Sequence, residues 1–161
     1  MTDDDFTKAV NRNNQRLFLI ALSFTKSSYD AEDIIQNVFM KLLKYQSGFF
    51  SDEHMDKWLT TVCVNESKNY IKSPFRYHKD IDDCDYASGT TFSSTAQIDL
   101  YNAVMGLSTK ERTVIHLFYY ESLSVKEIAK MLKIKESAVK TRLSRARVNL
   151  KEKLGDEWIN E

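Results

Sequence analysis

The chain has 161 residues, with 23 basic and 23 acidic side chains and a formal net charge of zero. Hydrophobic residues make up 42% and aromatics 12%, enough for a packed core, while one Pro and four Gly exclude collagen-like, low-complexity and turn-rich sheet architectures. The length suits one ordinary domain or two small helical ones, and the neutral total argues against a nucleic-acid binder unless the charge is unevenly distributed.

Helical periodicity dominates. From about Phe6 to Lys26, Val10, Leu17, Ile20, Ala21 and Phe24 recur at three- and four-residue intervals. A second helix follows Ser28 as cap, with Asp30, Glu32 and Asp33 near its positive end and a stripe of Ala31, Ile34, Ile35, Val38, Phe39, Leu42 and Leu43. It stops before Gly48. A third runs from about Glu53 to Lys72, with Met55, Trp58, Leu59 and Val62 on its apolar face, and Pro74 ends it. Residues 74–95 lose all periodicity; Asp80, Asp82, Asp83 and Asp85 precede a Ser/Thr-rich run, which reads as a linker between domains 1–73 and 96–161.

Helices resume from Ala96 to Met105 and break at Gly106-Leu107. The pattern Ser108…Glu111 is a capping box that opens a helix to about Tyr120, and Ser124…Glu127 is a second that opens a short helix with Ile128, Ala129 and Leu132. A break at Lys133-Ile134-Lys135 precedes a last helix to about Leu154. A short helix, a tight turn and a long helix describe a helix-turn-helix. At about 100° per residue, Val139, Leu143, Ala146, Leu150 and Leu154 share an arc of about 80°. The opposite face carries Ser137, Thr141, Ser144, Arg145 and Val148, flanked by Lys140, Arg142, Arg147 and Lys151. Hydroxyls and an arginine facing outward, with cations beside them, suit base reading with phosphate contacts on either side.

The charge is indeed uneven. Residues 1–73 carry 9 basic and 10 acidic side chains, residues 74–100 carry 2 and 5, and residues 101–161 carry 12 and 8. The C-terminal part is locally basic, as a DNA-binding surface requires.

Three stretches, in this order and spacing, carry a resemblance: Asp30-Ala31-Glu32-Asp33 through Phe39, Trp58 through Tyr70, and Leu123-Ser124 through Arg147. Together they resemble a bacterial RNA polymerase sigma factor of the extracytoplasmic-function group. That resemblance implies an all-α fold of two small helical domains joined by a flexible linker, the second a helix-turn-helix. It implies a first domain that binds core RNA polymerase, with Asp33, Gln36 and Phe39 as contacts. Asn37 departs from the acidic residue often found in the family. The second stretch resembles the segment that captures the minus-ten element as single-stranded DNA: Asn65 matches the position lining a flipped-base pocket, and its amide offers donor and acceptor together. Lys68, Lys72 and Arg76 suit the phosphates of that strand; Tyr70 and Tyr77 are nearby rings for which packing is the stronger reading, and Trp58 is assigned to the core. The third stretch resembles the reader of the minus-thirty-five duplex, with Ser137, Lys140, Thr141, Ser144 and Arg145 as contacts and Lys135, Arg142 and Arg147 on phosphates. Where the family commonly has a turn glycine this chain has Lys133, and where it often has a capping hydroxyl this chain has Lys135. In the family such linkers follow the path of RNA, so the acidic linker either does so here, shields the basic domain, or is only a spacer.

The resemblance further implies promoter DNA, duplex and melted, and an anti-sigma factor as partners. Three readings compete: a helix-turn-helix repressor or activator acting without polymerase, which leaves residues 1–73 needing a ligand or dimerisation role; a helical enzyme built on His54, His78 or His116; and an adaptor with no DNA role, which ignores the basic helix. No paired nucleophile and base, no phosphate-binding Gly loop and no HExxH supports the enzyme. Cys63 and Cys84 lack metal-site spacing and read as ordinary thiols, so no metal and no cofactor is expected. The acidic start is unlike a secretory signal, and no apolar run approaches the roughly 18 residues of a membrane helix; a cytoplasmic protein without membrane insertion is the expectation.

Overall fold

The structure is a computed structural model that describes residues 1–73 and 94–155. All regular structure among these residues is helical: α1 (Asp3–Thr25), α2 (Ser28–Lys44), α3 (Asp52–Lys72), α4 (Thr95–Met105), α5 (Thr109–Ile115), α6 (Val125–Leu132) and α7 (Glu136–Leu154), with a π-helical turn at His116–Tyr120. The chain divides into two compact units, Met1–Tyr86 and Ala87–Glu161. The all-α, two-unit expectation is met. Most of the stretch read as linker, with Arg76, Tyr77, His78, Cys84 and the four aspartates, lies outside the described residues; α4 begins at Thr95, capped by Ser94.

In the N-terminal unit α1, α2 and α3 each pack against the other two. α1 starts earlier than its apolar periodicity suggests because Thr2 and Asp5 form a reciprocal capping box and three aspartates occupy its first turn. The cap of α2 is Ser27 rather than Ser28, its hydroxyl accepting from the Asp30 amide at 3.2 Å. The expected stripe is buried from Ala31 to Leu42, but Leu43 is exposed. Leu59, Cys63 and Val64 of α3 reach the core, where the Cys63 thiol donates to the Leu17 carbonyl at 3.4 Å. Trp58 is only half-buried; it packs in an aromatic cluster with Tyr45 and Phe49 at centroid distances of 4.8 and 5.5 Å.

A polar knot crosses the α1–α3 seam. Asn13, fully buried, donates to Asp56 Oδ1 at 3.0 Å and to the Ala9 carbonyl at 3.0 Å. Arg12 adds bonds to Asp56 from Nε and a second guanidinium nitrogen at 3.1 and 2.9 Å, and Arg16 bonds Thr60 and Asn13, each at 2.6 Å. Burial by itself raises the Asp56 carboxyl, but the hydrogen bonds from Arg12 and Asn13 and the two guanidinium charges outweigh it and hold it below the usual carboxylate range.

In the C-terminal unit α4, α5 and α6 all pack on α7. Ser124 and Glu127 form the expected capping box; Ser108 caps α5 by accepting from the Glu111 amide, while its hydroxyl donates to the Glu111 carboxylate at 2.6 Å. The helix expected to reach Tyr120 as one α-helix changes pitch at His116, where the Glu121 amide bonds the His116 carbonyl across five residues at 3.2 Å. Arg112, counted among the basic residues, is 2% exposed; its guanidinium donates to the Leu107 carbonyl at 2.7 Å and to Thr109 Oγ1 at 3.2 Å, bracing the α4–α5 break. It adds nothing to a phosphate-binding surface.

His116 is buried, stacks on Tyr120 at 5.0 Å, and its Nε2 has no hydrogen-bond partner; burial pushes its pKa down to about 4. The unfolded chain, with an ordinary imidazole, binds a proton that the native state refuses. Stability of this unit is therefore intact above about pH 6.5 and falls by up to about 3 kcal/mol as pH drops to 4. Amide exchange at Val139 and Leu143 in the full chain reads this loss, and His116→Leu should abolish the pH dependence in that window.

Candidate nucleic-acid interface

The long helix α7 has two duties that its sequence separates by face. Val139, Leu143 and Ala146 are buried, and Leu150 and Leu154 are half-buried toward its end. Ser137, Thr141, Ser144 and Arg145 are exposed on the face opposite the core, and Lys140 is exposed on its flank. Thr141 Oγ1 donates back to the Ser137 carbonyl at 2.9 Å, which leaves its oxygen lone pairs and methyl outward. α6 ends on Lys133 in the left-handed conformation (φ 58°), its amide and that of Ile134 bonding the Ala129 carbonyl. A glycine adopts this conformation without the Cβ clash that costs an L-residue about 1 kcal/mol. Lys135 is the N-cap of α7 and makes no side-chain cap, so its exposed ammonium sits at the helix end that favours anions.

Arg142 is half-buried. With Ser137, Thr141 and Arg145 it lines a surface groove of about 470 Å³ completed by Ser108 and Lys110 from the start of α5. Sequence reasoning marked Ser108 only as a helix start and did not single out Lys110; their place beside α7 depends on the α5–α7 packing, which no local pattern reveals. Glu111 also lines the groove, and its carboxylate accepts from Ser108 and from Asn149 of α7, which fixes its position at that end. Arg147 differs from the other cations: its guanidinium lies 5.7 Å from the centroids of both Phe118 and Tyr119, and its Nε donates to the Tyr119 hydroxyl at 2.9 Å. It is engaged within the unit and stands apart from the exposed reading set.

In the N-terminal unit Asn65 and Lys72 are exposed and Lys68 is half-buried on one side of α3, whereas Arg76 lies outside the described residues. Tyr70 is half-buried and its hydroxyl donates to Asp30 Oδ1 at 2.6 Å, which assigns it to packing rather than to base stacking. On α2, Asp33 and Gln36 are exposed, but Phe39 is 8% exposed and meets Phe6 edge-on at 6.3 Å. Phe39 thus supports the helix from its inner side instead of joining the outer face with Asp33 and Gln36. That outer face is completed by residues not foreseen: Tyr29 (70% exposed), Met40 (51%) and Leu43 (55%), which with Asp33 and Gln36 fall within about 80° of helix arc. An apolar stripe exposed beside polar groups is the composition of an interface. Its signal was present in the sequence, in the return of apolar residues three and four apart on the side opposite the core stripe.

Among the described residues no helix is long and apolar enough to cross a membrane, and no group of His, Cys, Asp and Glu could hold a metal ion.

Comparison with known proteins gives a family match in each of the two units. Residues 9–74 match the family model for sigma-70 region 2, and residues 97–150 match that for sigma-70, region 4. The chain is 24% identical over 151 residues to the ECF RNA polymerase sigma factor SigM of Mycobacterium tuberculosis, covering 93% of this chain and 77% of that one. It is 26% identical over 169 residues to the ECF RNA polymerase sigma factor SigW of Bacillus subtilis, covering 95% and 90%. Among solved structures, the sigma factor RpoE of Bartonella quintana, crystallised with the anti-sigma factor NepR, shares the fold with a TM-score of 0.65 at 23% identity, covering 93% of this chain and 96% of that one.

The uncapped Lys135 yields a prediction. Lys135→Ser should raise the stability of the C-terminal unit by about 1 kcal/mol through a restored cap. The same change should weaken duplex binding at all sequences and lower the slope of log affinity against log salt by about one. Calorimetry and a salt titration check the pair; a parallel fall in stability and affinity would show that Lys135 is not trading one for the other.

Proposed function

Because the chain belongs to the sigma-70 family of RNA polymerase sigma factors, in its extracytoplasmic-function group, we propose that its surfaces divide the work of promoter selection as follows. The outer face of α2, with Asp33 and Gln36 set among Tyr29, Met40 and Leu43, docks on core polymerase. The exposed side of α3 holds the melted minus-ten strand, with Asn65 on a flipped base and Lys68 and Lys72 on phosphates. The α7 face reads the minus-thirty-five duplex through Ser137, Lys140, Thr141, Ser144 and Arg145, with Lys135 and Arg142 on phosphates and Lys110 added to them. Arg76 belongs to the minus-ten set by resemblance alone, and Arg147 reaches phosphate only by leaving Tyr119.

One observation carries this reading: a single chain presents an interface-like stripe on α2 and, in a separate compact unit, a helix-turn-helix whose reading face is polar and basic. A repressor explains the second and leaves the first idle, and the region 2 match to residues 9–74 disfavours it. The chain supplies recognition and strand capture; the chemistry of RNA synthesis belongs to polymerase, so the chain itself is no enzyme and acts in the cytoplasm with the chromosome. The Bartonella relative is bound to an anti-sigma factor, and we extend to this chain the expectation of a partner of that class.

Transcription with purified core polymerase over a promoter library tests the reading: the chain should bind core and yield transcripts from a defined promoter subset. Absence of core binding would overturn it. On a selected promoter, Arg145→Ala should weaken duplex binding by about 1–3 kcal/mol and relax preference at its base. Asn65→Ala should leave duplex binding intact and lower open-complex formation by a similar margin, about tenfold or more.

A further inference from the structure

The C-terminal half of α3 carries Asn65, Lys68 and Lys72, yet the core does not hold all of it. Leu59, Thr60, Cys63, Val64 and Ser67 are buried, and beyond Ser67 no residue through Lys72 is. A helix end without a buried side chain is free to fray or rotate within the last turns unless other contacts hold it. Two polar links to α2 stand in this place. Glu66, mostly buried, pairs with Lys41 of α2, and one turn further on Tyr70 donates its hydroxyl to Asp30 Oδ1 at 2.6 Å. Asp30 is fully buried at the start of α2, where the helix dipole favours its carboxylate. Glu66 and Tyr70 are four residues apart and therefore share a face of α3. On the helical wheel Asn65 and Lys72 fall about 120–140° from the middle of that face, on the exposed side. The antiparallel run of the pairs, Glu66 to the C-terminal end of α2 and Tyr70 to its N-terminal end, fixes the helix at two points along its length.

We propose that Glu66 and Tyr70 are positioning residues for promoter opening: by engaging Lys41 and Asp30 of α2, they set the rotation of the end of α3 and so the direction in which Asn65, Lys68 and Lys72 face the melted strand. The proposal rests on the assignment of α2 to polymerase and α3 to DNA. Under it, the helix that docks on polymerase and the helix that holds the strand form one rigid pair, so docking places the strand-binding groups without a further ordering step. Neither Lys41 nor Glu66 lies on the α2 stripe assigned to polymerase, which makes the link separable from docking.

Tyr70→Phe keeps the ring and removes only the hydroxyl. In holoenzyme assembled from the full chain and core polymerase, it should lower open-complex formation about tenfold, read by 2-aminopurine fluorescence in the non-template strand, while core affinity and minus-thirty-five duplex binding stay within about twofold. Lys41→Glu and Glu66→Lys should each lower opening, and the double exchange, which restores an ion pair of reversed polarity, should recover most of it. Opening by Tyr70→Phe at the unmodified rate, a loss matched by an equal loss in core affinity, or a double exchange no better than its parents would overturn the proposal. Failure of the unmodified chain to bind core or open DNA would instead overturn the functional assignment on which it rests.

Discussion

The hydrogen bond from buried Asn13 to Asp56 is the constraint on which the N-terminal unit depends. A side-chain amide sealed inside a helical bundle costs several kcal/mol unless its donors and acceptor are met, and a carboxylate drawn into the same seam costs more. Here each group satisfies the next: Asn13 serves Asp56, Arg16 serves Asn13 and Thr60, and Arg12 completes Asp56 from the more exposed side. Apolar packing alone lets helices slide by a turn with modest loss, whereas this set closes in a single register of α1 against α3. Because α2 packs on both, the same register fixes the outward direction of the α2 stripe. The side of α3 proposed to face DNA and the side of α2 proposed to face polymerase thus inherit their orientation from the polar knot in the α1–α3 seam.

The C-terminal unit solves its orientation problem differently. α7 receives α4, α5 and α6 on one side, so its exposed face, the one proposed to read DNA, is what remains after three helices have been docked. Two internal groups keep that docking exact in angle. Arg112 braces the α4–α5 break from within, through the Leu107 carbonyl and the Thr109 hydroxyl. The π-helical turn at His116–Tyr120 adds one residue to the helical circuit, which turns Phe118 and Tyr119 onto Arg147 of α7. A buried neutral imidazole in that turn is compatible with the fold only while it stays unprotonated.

Much of this was legible in the sequence, for reasons that are local. Helix periodicity, the Ser124…Glu127 box, the stripe on α2 and the core arc of α7 depend on residues within a few turns of one another, and the structure has them, save that Leu43 is exposed and Leu150 and Leu154 are only half-buried. What escaped depends on partners far along the chain. Arg112 counted as a surface cation because burial of an arginine requires acceptors at Leu107 and Thr109 that only the folded break brings into reach. Phe39 looked like a contact because the resemblance marks its position, but Phe6 of another helix covers it. Tyr29 and Met40 were passed over, and Leu43 was assigned to the core stripe, because their recurrence on the far side of α2 is a weaker pattern than the core stripe until the exposed surface around them is known. The shift of the α2 cap from Ser28 to Ser27 reflects two adjacent serines, between which sequence has no means to choose.

The zero net charge acquires a physical role once burial is included. Of the cations between residues 104 and 154, Arg112 is internal and Arg147 is engaged by Tyr119, so the phosphate-facing charge is smaller than the count and concentrated around the start of α7. At physiological salt the field of such a cluster fades within about 8 Å, and a neutral chain adds no long-range attraction beyond it. Each surface proposed for DNA is therefore expected, alone, to be a weak and salt-sensitive binder. Joined on one polymerase, the second contact becomes intramolecular, and its effective concentration multiplies the affinity of the first. On the proposed assignment, discrimination then rises as the product of two modest preferences, while the free chain, with one surface engaged at a time, binds DNA only weakly.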